Sequence, residues 1–173
     1  MGRHIAIVGN YSLTRAWAND LPPDVEIWGC SETYRYLDRI DRWFEIHEDT
    51  MAEMEYPADY YEWLTESKAP VYTVWREPNI PSSVPYPLER ILDALGDYLS
   101  TSPAYLTCSP AYMLALAIYE GVEQIELFGI NFQPDEGTRY AETISCIHYF
   151  VGMARGKGIS VLVHSPIREG VVA

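Results

Sequence analysis

The residues able to do chemistry gather in short polar clusters, each following an apolar run. Gly9-Asn10-Tyr11-Ser12 follows His4 to Val8. A small-residue turn of this kind, at a helix N-terminus, offers backbone N–H groups that can hold a phosphate or another anion. Cys30 and Ser31, with Glu32 and Tyr34, follow Val25 to Trp28; His47, Glu48 and Asp49 close the run from Arg42; Asn131, then Asp135 and Glu136, follow Gln124 to Ile130. His47 beside two carboxylates can act as a general base, because nearby negative charge favours its protonated form and orients the ring. His164, in His164-Ser165-Pro166 after the last apolar run, is a second candidate base. Ser100-Thr101-Ser102 and Thr107-Cys108-Ser109 place hydroxyls ahead of an apolar helix, where Ser109 either caps it or helps hold an anion. Each cluster also has a plainer reading: a tight turn with an N-cap at Ser12, solvated strand ends, and at His148 a packed helix histidine.

The elements that must position these groups alternate strand and helix. His4–Val8, Val25–Trp28, Arg42–His47, Val71–Trp75, Gln124–Ile130 and Ile159–Val163 read as strands, several of them continuous apolar runs of the kind buried on both faces of a parallel sheet. Leu13, Trp17 and Leu21 recur at four-residue steps and predict a short helix ended by Pro22-Pro23; another short helix is expected near Glu32 to Leu37. Amphipathic helices are expected over Glu48 to Ser67, with a break at Pro57, over Leu88 to Leu95, closed by Gly96, and over Tyr140 to Gly156. An apolar helix follows Ser109 and Pro110 and ends at Gly121. Arg76 to Pro87 holds four prolines and is expected to be an extended loop. The pattern predicts a doubly wound, mostly parallel Rossmann-like α/β sheet with helices on both faces, as one domain over 1–173. In such sheets ligands bind beyond the carboxyl ends of the strands, where the polar clusters fall.

Composition sets the bounds. The 173 residues are 48% apolar and 21% charged, enough for one folded core. Twelve Lys and Arg against 25 Asp and Glu leave a formal charge of −13, which disfavours duplex nucleic acid. The apolar run Met113 to Tyr119, even with Ala111 and Tyr112 ahead of it, is far short of the roughly 20 residues of a membrane span. Cys30, Cys108 and Cys146 are odd in number and widely spaced, so the chain reads as cytoplasmic and reduced, with neither a disulfide framework nor a zinc ribbon. There is no G-x-S-x-G, G-x-x-x-x-G-K-S/T or G-x-G-x-x-G motif, which argues against a serine hydrolase, a P-loop kinase and an ordinary dinucleotide dehydrogenase. No metal ligand set is identified.

Two blocks resemble a known family. Ile5-Ala6-Ile7-Val8-Gly9-Asn10-Tyr11-Ser12-Leu13, followed by Trp28-Gly29-Cys30-Ser31, resembles the opening of bacterial sialyltransferases of the glycosyltransferase 42 type and of motility accessory factor proteins. Ser109 to Gly121, then Ile125 to Asn131, resembles their later capped helix, glycine and strand. Arg42 to His47, Ser109 to Ile118 and Val151 to Ile159 are similar to segments of small phage-encoded Rossmann-like proteins. The resemblance implies that Gly9, Asn10, Ser12, Cys30 and Ser31 contact the nucleotide of a sugar donor, with Asn131 near the same pocket. The turn is one residue shorter here, Asn131 stands where the family has an acid, and no histidine lies between Asn131 and His148.

The leading expectation is a nucleotide or nucleotide-sugar binding domain, a small sialyltransferase-like glycosyltransferase in which the Gly9 turn and the hydroxyls near Ser109 hold phosphate and His47 or His164 is the base. A non-catalytic protein that sequesters or senses a nucleotide is the second reading, and an assembly protein, with 14 Tyr and 5 Trp to supply a contact face, is the third. A homo-oligomer is expected under each.

Overall fold

The computed structural model describes residues 2–47, 57–96, 106–132 and 139–164. Seven strands form one sheet: β1 (His4–Val8), β2 (Glu26–Cys30), β3 (Arg42–Glu45), β4 (Val71–Thr73), β5 (Ser83–Pro85), β6 (Gln124–Phe128) and β7 (Ser160–Val163). All neighbouring pairs are parallel, in the order β5-β4-β3-β2-β1-β6-β7. The expected Rossmann-like α/β architecture is what forms. The chain winds outward from β1 to β5, then returns to place β6 on the other side of β1, so the topological switch point lies between β1 and β6.

Strand alternation divides the core in two. Ile5 and Ile7 of β1, Trp28 of β2, Phe44 of β3, Ile125 and Leu127 of β6 and Val161 of β7 face the helices α2 (Leu88–Leu95), α3 (Ser109–Tyr119) and α4 (Arg139–Gly156). The opposite face carries Ala6, Val8, Ile27 and Phe128 under a 3-10 helix (Arg15–Asp20), and Trp43 and Val71 under α1 (Ala58–Glu66). α3 is apolar all round because it is wedged between the sheet, α2 and α4, with seven buried residues from Ala111 to Ile118.

Several local expectations are corrected. The proline-rich stretch is not wholly irregular: Ser83, Val84 and Pro85 pair in parallel with Val71, Tyr72 and Thr73. Pro85 is tolerated because β5 is an edge strand and needs hydrogen bonds on one side only. The segment after β1 is a 3-10 helix rather than an α-helix. Its three-residue turn does not keep four-residue spacings on one face, so Leu13 and Trp17 are 55% and 50% exposed. Neither Ser12 nor Ser109 is an N-cap: Thr14 precedes the 3-10 helix, and Cys108 precedes α3, whose first residue is Ser109. Gly96 is right-handed, with φ −55°, while Gly121 at the end of α3 has the left-handed φ of +66°. Among the described residues no helix is long and apolar enough to cross a membrane.

Candidate functional site

At the switch point the ends of β1 and β6 are zipped together. Gly9 N–H donates to the Phe128 carbonyl at 2.9 Å, Tyr11 N–H to the Gly129 carbonyl at 2.7 Å, and Gly129 N–H to Thr14 Oγ1 at 2.8 Å. A β-carbon on Gly9 would stand 2.6 Å from the Gly129 oxygen, so the glycine permits this approach. The amides of Gly9 and Tyr11 are therefore already spent inside the protein, and the turn leads into a 3-10 helix of six residues rather than an α-helix N-terminus. What the turn does present is Asn10. Its side-chain and backbone oxygens both accept from Arg15 Nη1 at 2.9 Å, and the Arg15 guanidinium lies 3.3 Å from the centre of the Tyr36 ring. Ser12 is exposed beside it.

At the end of β2, Cys30 and Ser31 part company. Cys30 is 2% exposed, its thiol directed at the Val8 carbonyl; burial pushes it up to about 12, against the opposing hydrogen bond from Ser31. Its side chain belongs to the core, which the shared strand face with Trp28 explains. Ser31 instead has φ +58°, the only left-handed non-glycine residue among the described residues. That conformation costs about 1–2 kcal/mol for an L-residue and is stored where a fold holds it fixed. Thr33 holds it, its hydroxyl accepting from Cys30 N–H at 3.1 Å and donating to the Cys30 carbonyl at 2.8 Å.

The end of β3 carries the most organised polar group. Glu45 is 4% exposed; one carboxylate oxygen contacts His47 Nδ1 and the other accepts from the Tyr60 hydroxyl. Tyr60, on α1, accepts from Trp43 Nε1 at 2.8 Å. Trp43 and Glu45 share one side of β3, and His47, two residues past the end of the strand, is held to the same group by its contact with Glu45. A buried carboxylate on Nδ1 fixes the tautomer and orientation of the imidazole, which is what a general base requires. Glu48 and Asp49, expected to flank His47, lie outside the described residues; the carboxylate that does orient it, Glu45, was legible as an i, i+2 strand pair.

Asn131 is half-buried two residues beyond Gly129, at the carboxyl end of β6, and Ser109 opens α3. Between α3 and α4 the Sγ atoms of Cys108 and Cys146 are 3.5 Å apart, and Thr107 donates to Cys146 at 3.1 Å. The Cys108 hydrogen bond and that of Thr107 outweigh burial and lower the pKa of the Cys146 thiol. His164 follows β7, with Nε2 2.6 Å from Glu126 Oε2 and its ring stacked on Phe128 at 4.1 Å. The other oxygen of Glu126 is 2.8 Å from His4 Nε2, off the line of a hydrogen bond. His148 is exposed, edge-on to Phe132 at 5.2 Å. Ser100 to Ser102, Asp135, Glu136, Ser165 and Pro166 lie outside the described residues. Among the described residues no three His, Cys, Asp or Glu side chains are placed to hold a metal ion.

The other end of the sheet is closed by charge. Arg3 and Arg42 each pair with both Glu26 and Glu120, and Arg42 also donates to the Tyr72 hydroxyl. A surface dent between Ile118, Val122, Lys157 and Ile159 lies at this amino end, away from the polar rim.

No protein-family model matches the chain, and no curated protein matches it by sequence. Solved structures do. The sialyltransferase CstII from Campylobacter jejuni, in complex with the substrate analogue CMP-3FNeuAc, aligns with TM-score 0.62 and 17% identity over 98% of this chain and 83% of that one. The sialyltransferase CST-II with a trisaccharide acceptor and CMP aligns with TM-score 0.61 and 18% identity, over 96% and 83%. The monofunctional alpha-2,3-sialyltransferase Cst-I from Campylobacter jejuni gives 0.60 and 15%, over 97% and 78%. Over nearly its whole length the chain has the fold of these sialyltransferases.

Proposed function

We propose that the protein is a single nucleotide-binding domain that takes a cytidine nucleotide at the carboxyl ends of β1, β2, β3 and β6 and transfers a sugar from it, as a sialyltransferase-like glycosyltransferase. The observation that carries the reading is the Glu45-oriented His47 at the polar rim of a sheet shared with CMP-bound sialyltransferases. Asn10, Ser12, Ser31 and Asn131 supply neutral hydrogen-bonding groups for ribose, base and phosphate, with Ser109 at the opening of α3. Gly9 and Cys30 contribute through the backbone path they allow.

In the proposed reaction the donor is held with its anomeric carbon open to attack. His47 removes the proton of the acceptor hydroxyl as its oxygen bonds to that carbon, while the bond from carbon to the phosphate oxygen breaks and the electron pair leaves with the nucleoside monophosphate. The imidazolium that forms is stabilised by the Glu45 carboxylate. His47 is preferred to His164 because it is held at Nδ1 by a buried carboxylate that is itself hydrogen-bonded to Tyr60, whereas His164 meets Glu126 through Nε2 and lies flat on Phe128.

The test is release of CMP from a CMP-linked sialic acid with an oligosaccharide acceptor present. Acceptor-dependent release, reduced at least 100-fold in His47→Ala with donor affinity kept, is expected. Binding of the donor without any transfer would replace this reading with that of a nucleotide-sequestering protein.

A further inference from the structure

The described arginines divide by partner: some pair with carboxylates, while others, such as Arg155 with its bond to the Val161 carbonyl, do not. Arg3, Arg35, Arg39 and Arg42 each contact a carboxylate. Arg15 does not: its described partners are the two oxygens of Asn10 and the face of Tyr36. What distinguishes Arg15 is its place: it stands at the sheet's switch point with no carboxylate partner among the described residues, in a chain of formal charge −13. It is also a fixed one. Asn10 engages one guanidinium nitrogen, Nη1, through both contacts, and the Tyr36 ring holds the plane, so the conformational cost of ordering a long side chain is met before any ligand arrives. A planar guanidinium so held keeps further N–H donors for a phosphate, which it can grip through two parallel hydrogen bonds.

The surroundings favour the same ligand. Beyond the register Val8↔Gly29, the next residues of β1 and β2 bring Asn10 and the strained Ser31 to neighbouring strand ends. The Gly9 and Tyr11 amides, which a glycine turn would otherwise aim at phosphate, are committed to Phe128 and Gly129. A cation from the following 3-10 helix takes over the part that a helix N-terminus plays in other nucleotide folds.

We infer that Arg15, positioned by Asn10 and Tyr36, receives the phosphate of the bound nucleotide, so that the site takes nucleoside monophosphates and their sugar esters and discriminates against nucleosides. This rests on the nucleotide reading of the rim. The experiment is a calorimetric comparison of CMP and cytidine on the wild-type chain and on Arg15→Gln and Arg15→Lys, with thermal unfolding to show that the variants are folded. CMP is expected to bind the wild type at least tenfold more tightly than cytidine. Arg15→Gln should lose at least tenfold in CMP affinity with cytidine unchanged, and Arg15→Lys, which keeps the charge without the planar fork, should recover part of that loss. Equal CMP affinity in folded Arg15→Gln, or equal wild-type affinity for CMP and cytidine, overturns the assignment while leaving nucleotide binding intact. Binding of neither ligand by the wild type overturns the nucleotide reading itself, and this assignment with it.

Discussion

Gly9 and Gly129 approach so closely at the switch point that a β-carbon on Gly129 would stand 2.0 Å from the Gly9 carbonyl oxygen, and Gly129 has φ +61°. Two penalties therefore coincide, backbone strain and a clash with main chain that cannot move aside. Gly129→Ala is expected to destabilise by about 2–5 kcal/mol. Gly121→Ala is the control: its φ is +66° with nothing within 4 Å, so only strain of about 1 kcal/mol applies. Urea unfolding of the two variants reads the difference; similar losses would mean that the β1–β6 closure is looser than described.

Ser31 bears strain without such crowding. Ser31→Gly should relieve a left-handed φ and stabilise by up to about 1 kcal/mol, while weakening CMP binding through loss of the hydroxyl. A gain in Tm with reduced affinity marks a residue kept for function; a gain in both would remove Ser31 from the ligand site.

Tyr60→Phe removes the hydroxyl that takes the buried Trp43 indole proton and donates to Glu45. A loss of about 1–3 kcal/mol is expected for leaving these buried groups without that partner. Turnover should fall less than in His47→Ala, because the Glu45–His47 contact survives. Retention of full stability by thermal unfolding would contradict the hydrogen-bond chain.

The charge network at the amino end predicts an acid dependence. Burial works to raise the Glu26 carboxyl, but hydrogen bonds from Arg3 and Trp28 and the charges of Arg42 and Arg3 outweigh it, so its pKa lies below 4.5. A lowered folded pKa gives stability that is complete above 4.5 and lost as pH falls through the folded value. Glu26→Gln should be less stable than wild type at pH 7 by about 1 kcal/mol, given partial exposure, with the gap narrowing toward pH 3 by thermal melts. A constant gap would show that the carboxylate charge is not what matters.

How much of this was legible in the sequence follows from the range of the interactions involved. β1 and β6 are readable because their buried residues are mostly apolar, Ile5 to Val8 in one and Ile125, Leu127 and Phe128 in the other. β5 was not, since three residues ending in Pro85 are a strand only because Val71 to Thr73 lie alongside. The spacing of Leu13, Trp17 and Leu21 suggested an α-helix, but Thr14 spends its hydroxyl on Gly129 N–H, a contact 115 residues away in sequence. The resemblance places Cys30 with Ser31 at the nucleotide, but strand alternation puts its side chain in the core beside buried Trp28. Glu45 could have been found from its two-step relation to His47. Arg15 could not, because its standing comes from Tyr36, which no spacing rule brings to it.

The central claim, a cytidine nucleotide at the carboxyl ends of the strands, is tested most directly by titrating CMP into the 15N-labelled protein and mapping amide shifts. Shifts clustered at Asn10 to Arg15, Ser31, Glu45 to His47 and Asn131 are the result predicted. No shifts at millimolar CMP, or shifts confined to the amino end around Glu120 and Lys157, would contradict it.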